Sequence, residues 1–192
     1  GSGLTATDAS GNGLHGTYVN GVTLGVPGAL GGVANTAVRL DGTNDHVTLP
    51  AGFADFTGGL TLEMWLYPTA NGDSARLFDL GRGSATDNIL LARYSTTNDL
   101  YLQVYSNTTA GSALRVSGVL EFNTWQHIVA TVDGAGNANV YKNGVLAGSG
   151  TVNAPRNIAR TSNYIGRSNW ASDAYYTGSF DEAAIYGRVL SA

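Results

Sequence analysis

One stretch, Trp125 to Gly148, limits what this chain can become more than any other. It holds three β-rich runs, Trp125–Val132, Ala138–Lys142 and Val145–Ala147. The first break, Asp133-Gly-Ala-Gly-Asn137, is rich in residues that tolerate positive φ. The second is a bare Asn143-Gly144, the dipeptide best suited to a two-residue type I′ hairpin. Such a turn fixes the register of its strands, and register decides which side chains face a core. Three antiparallel strands in mid-chain commit the chain to β-sheet.

The flanking sequence extends the pattern. Leu60–Tyr67 alternates, with Leu60, Leu62, Met64 and Leu66 on one face and Thr61, Glu63, Trp65 and Tyr67 on the other, the period of a strand with one face buried. Pro68 closes it. Short strands are expected at His15–Val19, Val22–Leu24, Ala37–Leu40, His46–Leu49, Arg76–Leu80, Asn88–Tyr94, Leu100–Tyr105, Leu114–Val116, Asn163–Gly166 and Gly178–Tyr186. Gly, Asn, Asp or Ser bounds most of them. No segment reads as a convincing helix; with a single lysine, Lys142, the chain lacks the composition of a long amphipathic one. About a dozen strands, each with one apolar face to hide, predict an all-β fold of two packed antiparallel sheets. At 192 residues, 1–192 reads as a single domain. The opening Gly1-Ser-Gly3 suggests the cut edge of a larger protein.

Charge excludes several partners. The net charge is −4, and the ten basic residues are scattered, so no stripe invites nucleic acid. No apolar run approaches membrane-spanning length, which argues against membrane insertion. Cysteine is absent, so stability comes from packing, with or without a metal.

Chemistry can sit in a few places. Asp41-Gly-Thr-Asn-Asp45 gathers two carboxylates and an amide on one tight loop. It suits either calcium, which takes six to eight oxygens, or a turn capped by its own aspartates. Asp133–Asn137 reads as a self-bonded hairpin turn. His15, His46 and His127 are far apart and show no zinc spacing; His127 is expected to pack beside Trp125. Glu63 stands alone, and no nucleophile elbow or phosphate-cradling turn occurs. The best ligand-binding candidate is the polar loop Arg167–Tyr176, with Arg167, Asn169, Trp170, Asp173 and Tyr176 as contacts. Aromatic rings meet the apolar faces of sugars while polar neighbours take the hydroxyls. The alternative is that Trp170 folds back as a lid on the sandwich edge.

These motifs resemble the laminin-G-like, concanavalin-A-like jelly roll. The resemblance rests on Trp125-Gln-His-Ile, where the family has Val in the fourth place, on the Asp133-Gly turn and on Tyr141-Lys-Asn-Gly144. It extends to Asp8-Ala-Ser-Gly-Asn-Gly13, Pro27-Gly-Ala-Leu30 and Gly178-Ser-Phe-Asp-Glu182. It implies a two-sheet antiparallel jelly-roll sandwich (the concanavalin A-like lectin/glucanase fold) whose first long and last strands are neighbours. That would bring Asp181 toward Asp41 and Asp45 in a structural Ca2+ site. It implies one further N-terminal strand, here reduced to Gly1–Leu4 or missing, and an extracellular or cell- or virion-surface location. Enzymes of this class carry Glu-x-Asp-x-x-Glu on one strand, and nothing here matches. Adjacent Asp181 and Glu182 are expected on opposite faces. The resemblance thus implies a non-catalytic recognition module, glycan-binding and calcium-stabilised. The rival is a structural, adhesion or virion-decoration domain that contacts a surface protein.

Overall fold

A computed structural model describes residues 3–31 and 35–191. Its strands run in chain order as β1 Thr5–Ala6, β2 Gly16–Val19, β3 Thr23–Pro27, β4 Thr36–Asp41, β5 His46–Leu49, β6 Leu60–Pro68, β7 Arg76–Gly81 and β8 Ile89–Arg93. They continue as β9 Leu100–Ser106, β10 Thr109–Val116, β11 Gln126–Val132, β12 Asn137–Lys142, β13 Val145–Thr151, β14 Ser162–Ile165 and β15 Thr177–Tyr186. No helix occurs among the described residues.

Two antiparallel sheets pack face to face. One has the order β1-β2-β5-β14-β7-β8-β9-β10, the other β13-β12-β11-β6-β15-β4-β3. The β11–β12–β13 meander forms as expected. Asn143 and Gly144 take φ of 50° and 79°, and Lys142 faces Val145 across the turn. A type I′ hairpin demands positive φ at both central residues, which Asn and Gly supply at least strain. Asp133 also caps its own turn, accepting the Ala135 and Asn137 N–H groups at 2.9 Å.

The β6 alternation holds: Leu60, Leu62, Met64 and Leu66 are all 1% exposed or less. They meet Ile128, Ala130 and Val132 from β11 and Phe78, Leu80, Leu91 and Leu102 from the facing sheet in one apolar core. Each such side chain contributes roughly 1.5–3 kcal/mol of burial. Arg160 is fully buried beside this core. Its guanidinium donates to the carbonyls of Asp87, Ala54, Ile158 and Arg156 and lies 5.3 Å from the Phe56 ring. Burial lowers its pKa to about 10, still cationic at neutral pH. It thus clamps the connection before β14 onto the segment before β6.

Two edge strands are longer than their sequences suggest. β10 begins at Thr109, five residues before Leu114, and β13 runs to Thr151, past Ala147. Both extensions are exposed Gly-, Ser- and Thr-rich stretches. An edge strand takes its order from the neighbour's ladder and needs no alternating apolar residues. At the N-terminus, Thr5–Ala6 pairs with Gly16–Thr17, so a two-residue strand stands where Gly1–Leu4 was expected. Gly1 and Ser2 lie outside the described residues, and Gly3–Leu4 form a turn.

Candidate functional site

The loop between β14 and β15 lies on the outer face of the eight-stranded sheet. Its ends are drawn together by the Tyr176 N–H, which donates to the Gly166 carbonyl at 3.0 Å. Asn169 then hooks the loop to β7. Its backbone N–H donates to Asp79 Oδ2 and its side-chain amide to Asp79 Oδ1, both at 2.9 Å. Asn88 adds a third N–H to Asp79 at 2.7 Å. Asp173 accepts from Arg76 at 2.6 Å and from the Ser168 hydroxyl at 2.8 Å.

Asp79 and Arg76 are both buried, and Arg76 Nε sits 3.6 Å from Asp79 Oδ2. Burial pushes the Asp79 carboxyl up, with the Asn169 and Asn88 donors and then the Arg76 charge pulling against it. The loop is therefore bolted down by a desolvated charge network that tolerates little rearrangement.

What the loop leaves at its surface is aromatic. Trp170 is half-buried, its ring 5.6 Å from Tyr105 and 5.2 Å from the Arg76 guanidinium. Tyr101 lies 5.9 Å from the same guanidinium, and Tyr94 meets Tyr101 edge-on. At the loop's other end Arg167 stacks 4.5 Å over Tyr164, and Tyr175 lies 5.9 Å from His46. Burial, aided by the nearby Arg167 charge, lowers the His46 pKa, so that imidazole is neutral at pH 7. Between the ends lies a hollow of about 160 Å³ lined by Arg167, Ser168, Asn169, Trp170, Asp173 and Tyr175. Enclosed ligand pockets usually span about 300–1,000 Å³. This one can seat one edge of a ligand, with the rest lying across the surface.

Of the expected contacts, Arg167, Asn169, Trp170 and Asp173 gather round this hollow, although Asn169 and Asp173 spend much of their bonding capacity beneath it. Tyr176 does not join them. It is 6% exposed, its hydroxyl donates to the Ser179 carbonyl at 3.2 Å, and burial raises its pKa. Its neighbour Tyr175 lines the hollow in its place, because the two rings point to opposite sides of the chain. Trp170 is at once a wall of the hollow and a cover over Arg76, so the lid alternative describes part of its role. Tyr101 and Tyr105 were not among the contacts expected from the sequence. The outward phase of Leu100–Tyr105, with Tyr101 and Tyr105 on its polar face, was the available signal.

The three expected metal ligands are not assembled into one centre. β4 and β15 are neighbours, but Asp41 faces Thr177 and Asp181 faces Trp65. Four residues along a strand is about 13 Å. Each carboxylate is already occupied by backbone donors. Asp41 accepts from Thr43 N–H at 2.7 Å, Asp45 from Gly21 N–H at 2.7 Å and Asp41 N–H at 3.2 Å, and Asp181 from Ala29 and Glu182 N–H at 3.0 Å. No group of three acidic, His or Cys side chains poised for a metal occurs among the described residues. The donor set does not fit calcium, which takes six to eight oxygens at one point.

A bulge in β15 between Asp181 and Ala184 breaks the strict alternation. Asp181 and Glu182 border an open cleft of about 950 Å³ at the sandwich edge, along with Asp8 and Glu63.

Residues 41–192 match the family model described as the concanavalin A-like lectin/glucanases superfamily, Laminin_G_3. The chain belongs to this family. This laminin-G-like chain is similar to domain 4 of a GH43 extracellular arabinanase from Geobacillus stearothermophilus, solved with arabinotriose. That likeness has a TM-score of 0.69 and 22% identity over 97% of this chain and 88% of that one. It is also similar to the CBM40 of a Ruminococcus gnavus IT-sialidase, bound to α2,3 sialyllactose, with a TM-score of 0.63 and 12% identity over 81% of this chain and 91% of that one. A third is the binding domain of botulinum neurotoxin serotype G, with a TM-score of 0.70 and 16% identity over 96% of this chain; only 45% of that domain is covered. At these identities the likeness concerns the fold. No curated protein matches the chain in sequence.

Proposed function

We propose that this chain is a non-catalytic recognition module of a larger extracellular protein, and that it binds a glycan at the loop between β14 and β15. One observation carries the reading. Trp170, Tyr175 and Arg167 are presented around a shallow hollow on a loop braced from below by Arg76, Asp79 and Asp173. A rigid aromatic wall with a guanidinium at its edge is what a sugar's apolar face and hydroxyls need. Solved neighbours carrying arabinotriose and sialyllactose support it. The carboxylates favour binding over hydrolysis: Asp181 is occupied by backbone N–H groups and Glu63 contacts His127 at 2.9 Å. Neither is set as a free acid–base pair across a sugar bond.

Glycan-array binding of the wild type and of Trp170→Ala tests this. The wild type binds a defined glycan set and Trp170→Ala loses it while thermal melting shows that the variant is folded. Equal binding by both would place recognition elsewhere. A second reading, contact with a surface protein, draws on Val145 and Leu146, 70% and 52% exposed at the start of the edge strand β13. It predicts that Leu146→Ser, and not Trp170→Ala, abolishes attachment to the surface the parent protein binds.

A further inference from the structure

The outer face of the seven-stranded sheet carries a second set of groups that the loop does not use. β11 sets His127 opposite Trp65 and Val129 opposite Glu63, while β15 sets Ser179 opposite Tyr67. With Leu62, Met64 and Leu66 turned into the core, alternation turns Glu63, Trp65 and Tyr67 outward. Trp125 leans on Tyr67 at 5.5 Å and Trp65 on His127 at 5.1 Å. Four rings thus form two pairs, Trp65 and Tyr67 on β6 with His127 on β11 and Trp125 just before it. All are partly exposed and none belongs to the core. Two of the chain's three tryptophans stand here.

Polar groups are set among the rings. His127 Nε2 and Glu63 Oε1 are 2.9 Å apart, with their side chains 22% and 25% exposed. Asn143 Oδ1 accepts the His127 N–H at 2.8 Å. This mixture selects among partners. The centre of a protein–protein patch is depleted of charge, whereas here a Glu–His pair closes one end of the aromatic row, and the exposed Leu146 of this sheet lies three strands from Glu63, beyond Val129 and Tyr141. A saccharide fits both features, its C–H face on the rings and its hydroxyls on the pair. Charge narrows it further. Glu63 and Asp181 flank Trp65 and repel an acidic sugar there, while Arg39 of the same face stands one strand beyond Ser179 from Tyr67.

We propose that this face is a second saccharide-binding site, for uncharged oligosaccharides, with Trp65, Tyr67 and Trp125 as the stacking surface and Glu63–His127 reading hydroxyls. It shares no residue with the loop site, so either site can fail alone. The test uses Trp170→Phe in the full chain, which leaves Trp65 and Trp125 as the sole indole reporters. Its fluorescence is titrated with arabinotriose, xylotetraose and mannotetraose, and an array of uncharged glycans is screened alongside. The expected result is a saturable fluorescence change with at least one uncharged glycan. Adding Glu63→Gln weakens it about tenfold and adding Trp65→Ala removes it, while thermal melting confirms that each variant folds. Glu63→Gln, which keeps the side chain's shape, covers the case in which Trp65→Ala destabilises the sheet. No saturable change in Trp170→Phe with any uncharged glycan, or undiminished affinity in folded Glu63→Gln and Trp65→Ala variants, overturns the proposal. Trp170→Ala against the same array judges the loop site separately.

Discussion

Asp79→Ala is the sharpest test of how the recognition loop is held. Asp79 is fully buried and accepts three N–H groups at 2.7–2.9 Å from Asn88 and Asn169, with Arg76 Nε at 3.6 Å. Removing it strands the Asn169 backbone N–H beneath the loop and leaves the buried Arg76 with Asp173 as its one remaining carboxylate. Breaking one partner out of a buried charged network costs about 3–5 kcal/mol, a large part of the roughly 5–15 kcal/mol that stabilises a folded domain. With a urea m-value of about 2 kcal/mol/M, the unfolding midpoint falls by roughly 2 M. Urea titration followed by tryptophan fluorescence and by far-ultraviolet circular dichroism measures the midpoint, with coincident curves as the two-state check. Asn169→Ala is made alone and with Asp79→Ala. Because the two side chains touch, the cycle gives a coupling of about 0.5–3 kcal/mol. A loss below about 1 kcal/mol with no measurable coupling would refute the claim that Asp79 anchors the loop.

The remaining expectations concern the turns. Asp8 is held down to about 2 from 3.8, chiefly by its hydrogen bonds to Ser10, and the carboxyls of Asp41, Asp55, Asp99 and Asp133 are likewise lowered by donors within their own turns or nearby. Folded pKa values below the unfolded ones give stability that is complete above about pH 4 and is lost as pH falls toward 2. Melting temperature should therefore drop across that window, and Asp8→Asn with Asp133→Asn should flatten the drop; a flat wild-type profile there would contradict the assignment. Calcium and a chelator should give the same melting temperature, because Asp41, Asp45 and Asp181 already serve backbone amides; a calcium-dependent rise of several degrees would restore the metal site. Gly144→Ala places a Cβ at φ 79° with no atom within 4 Å of it, so its cost is conformational alone. About 1–2 kcal/mol is expected by urea unfolding, and a neutral result would mean that the hairpin turn is not of the positive-φ type.

What the sequence determined by itself is the set of features that close over a few residues. Asn143-Gly144 dictates a turn, that turn dictates register, and the alternation of Leu60 to Leu66 dictates which face is buried. These rest on φ preferences and a two-residue period, both local, so β6, the meander and the two-sheet class were legible. So was the family, through ordered turn motifs. Only the tertiary structure decided where chemistry-bearing side chains meet. Asp41 and Asp181 sit on neighbouring strands yet four positions out of register, a pairing offset that no local pattern records. Tyr176 turns into the core and Tyr175 out because the loop closes on Gly166, a contact across ten residues. Asp79 and Arg76 lie under Asn169 and Asp173, some ninety residues away. Trp65 meets His127 only because β6 and β11 pair across sixty residues. Side-chain periodicity is set by neighbours along the chain, but a site is set by which strands the sandwich brings side by side and in what register.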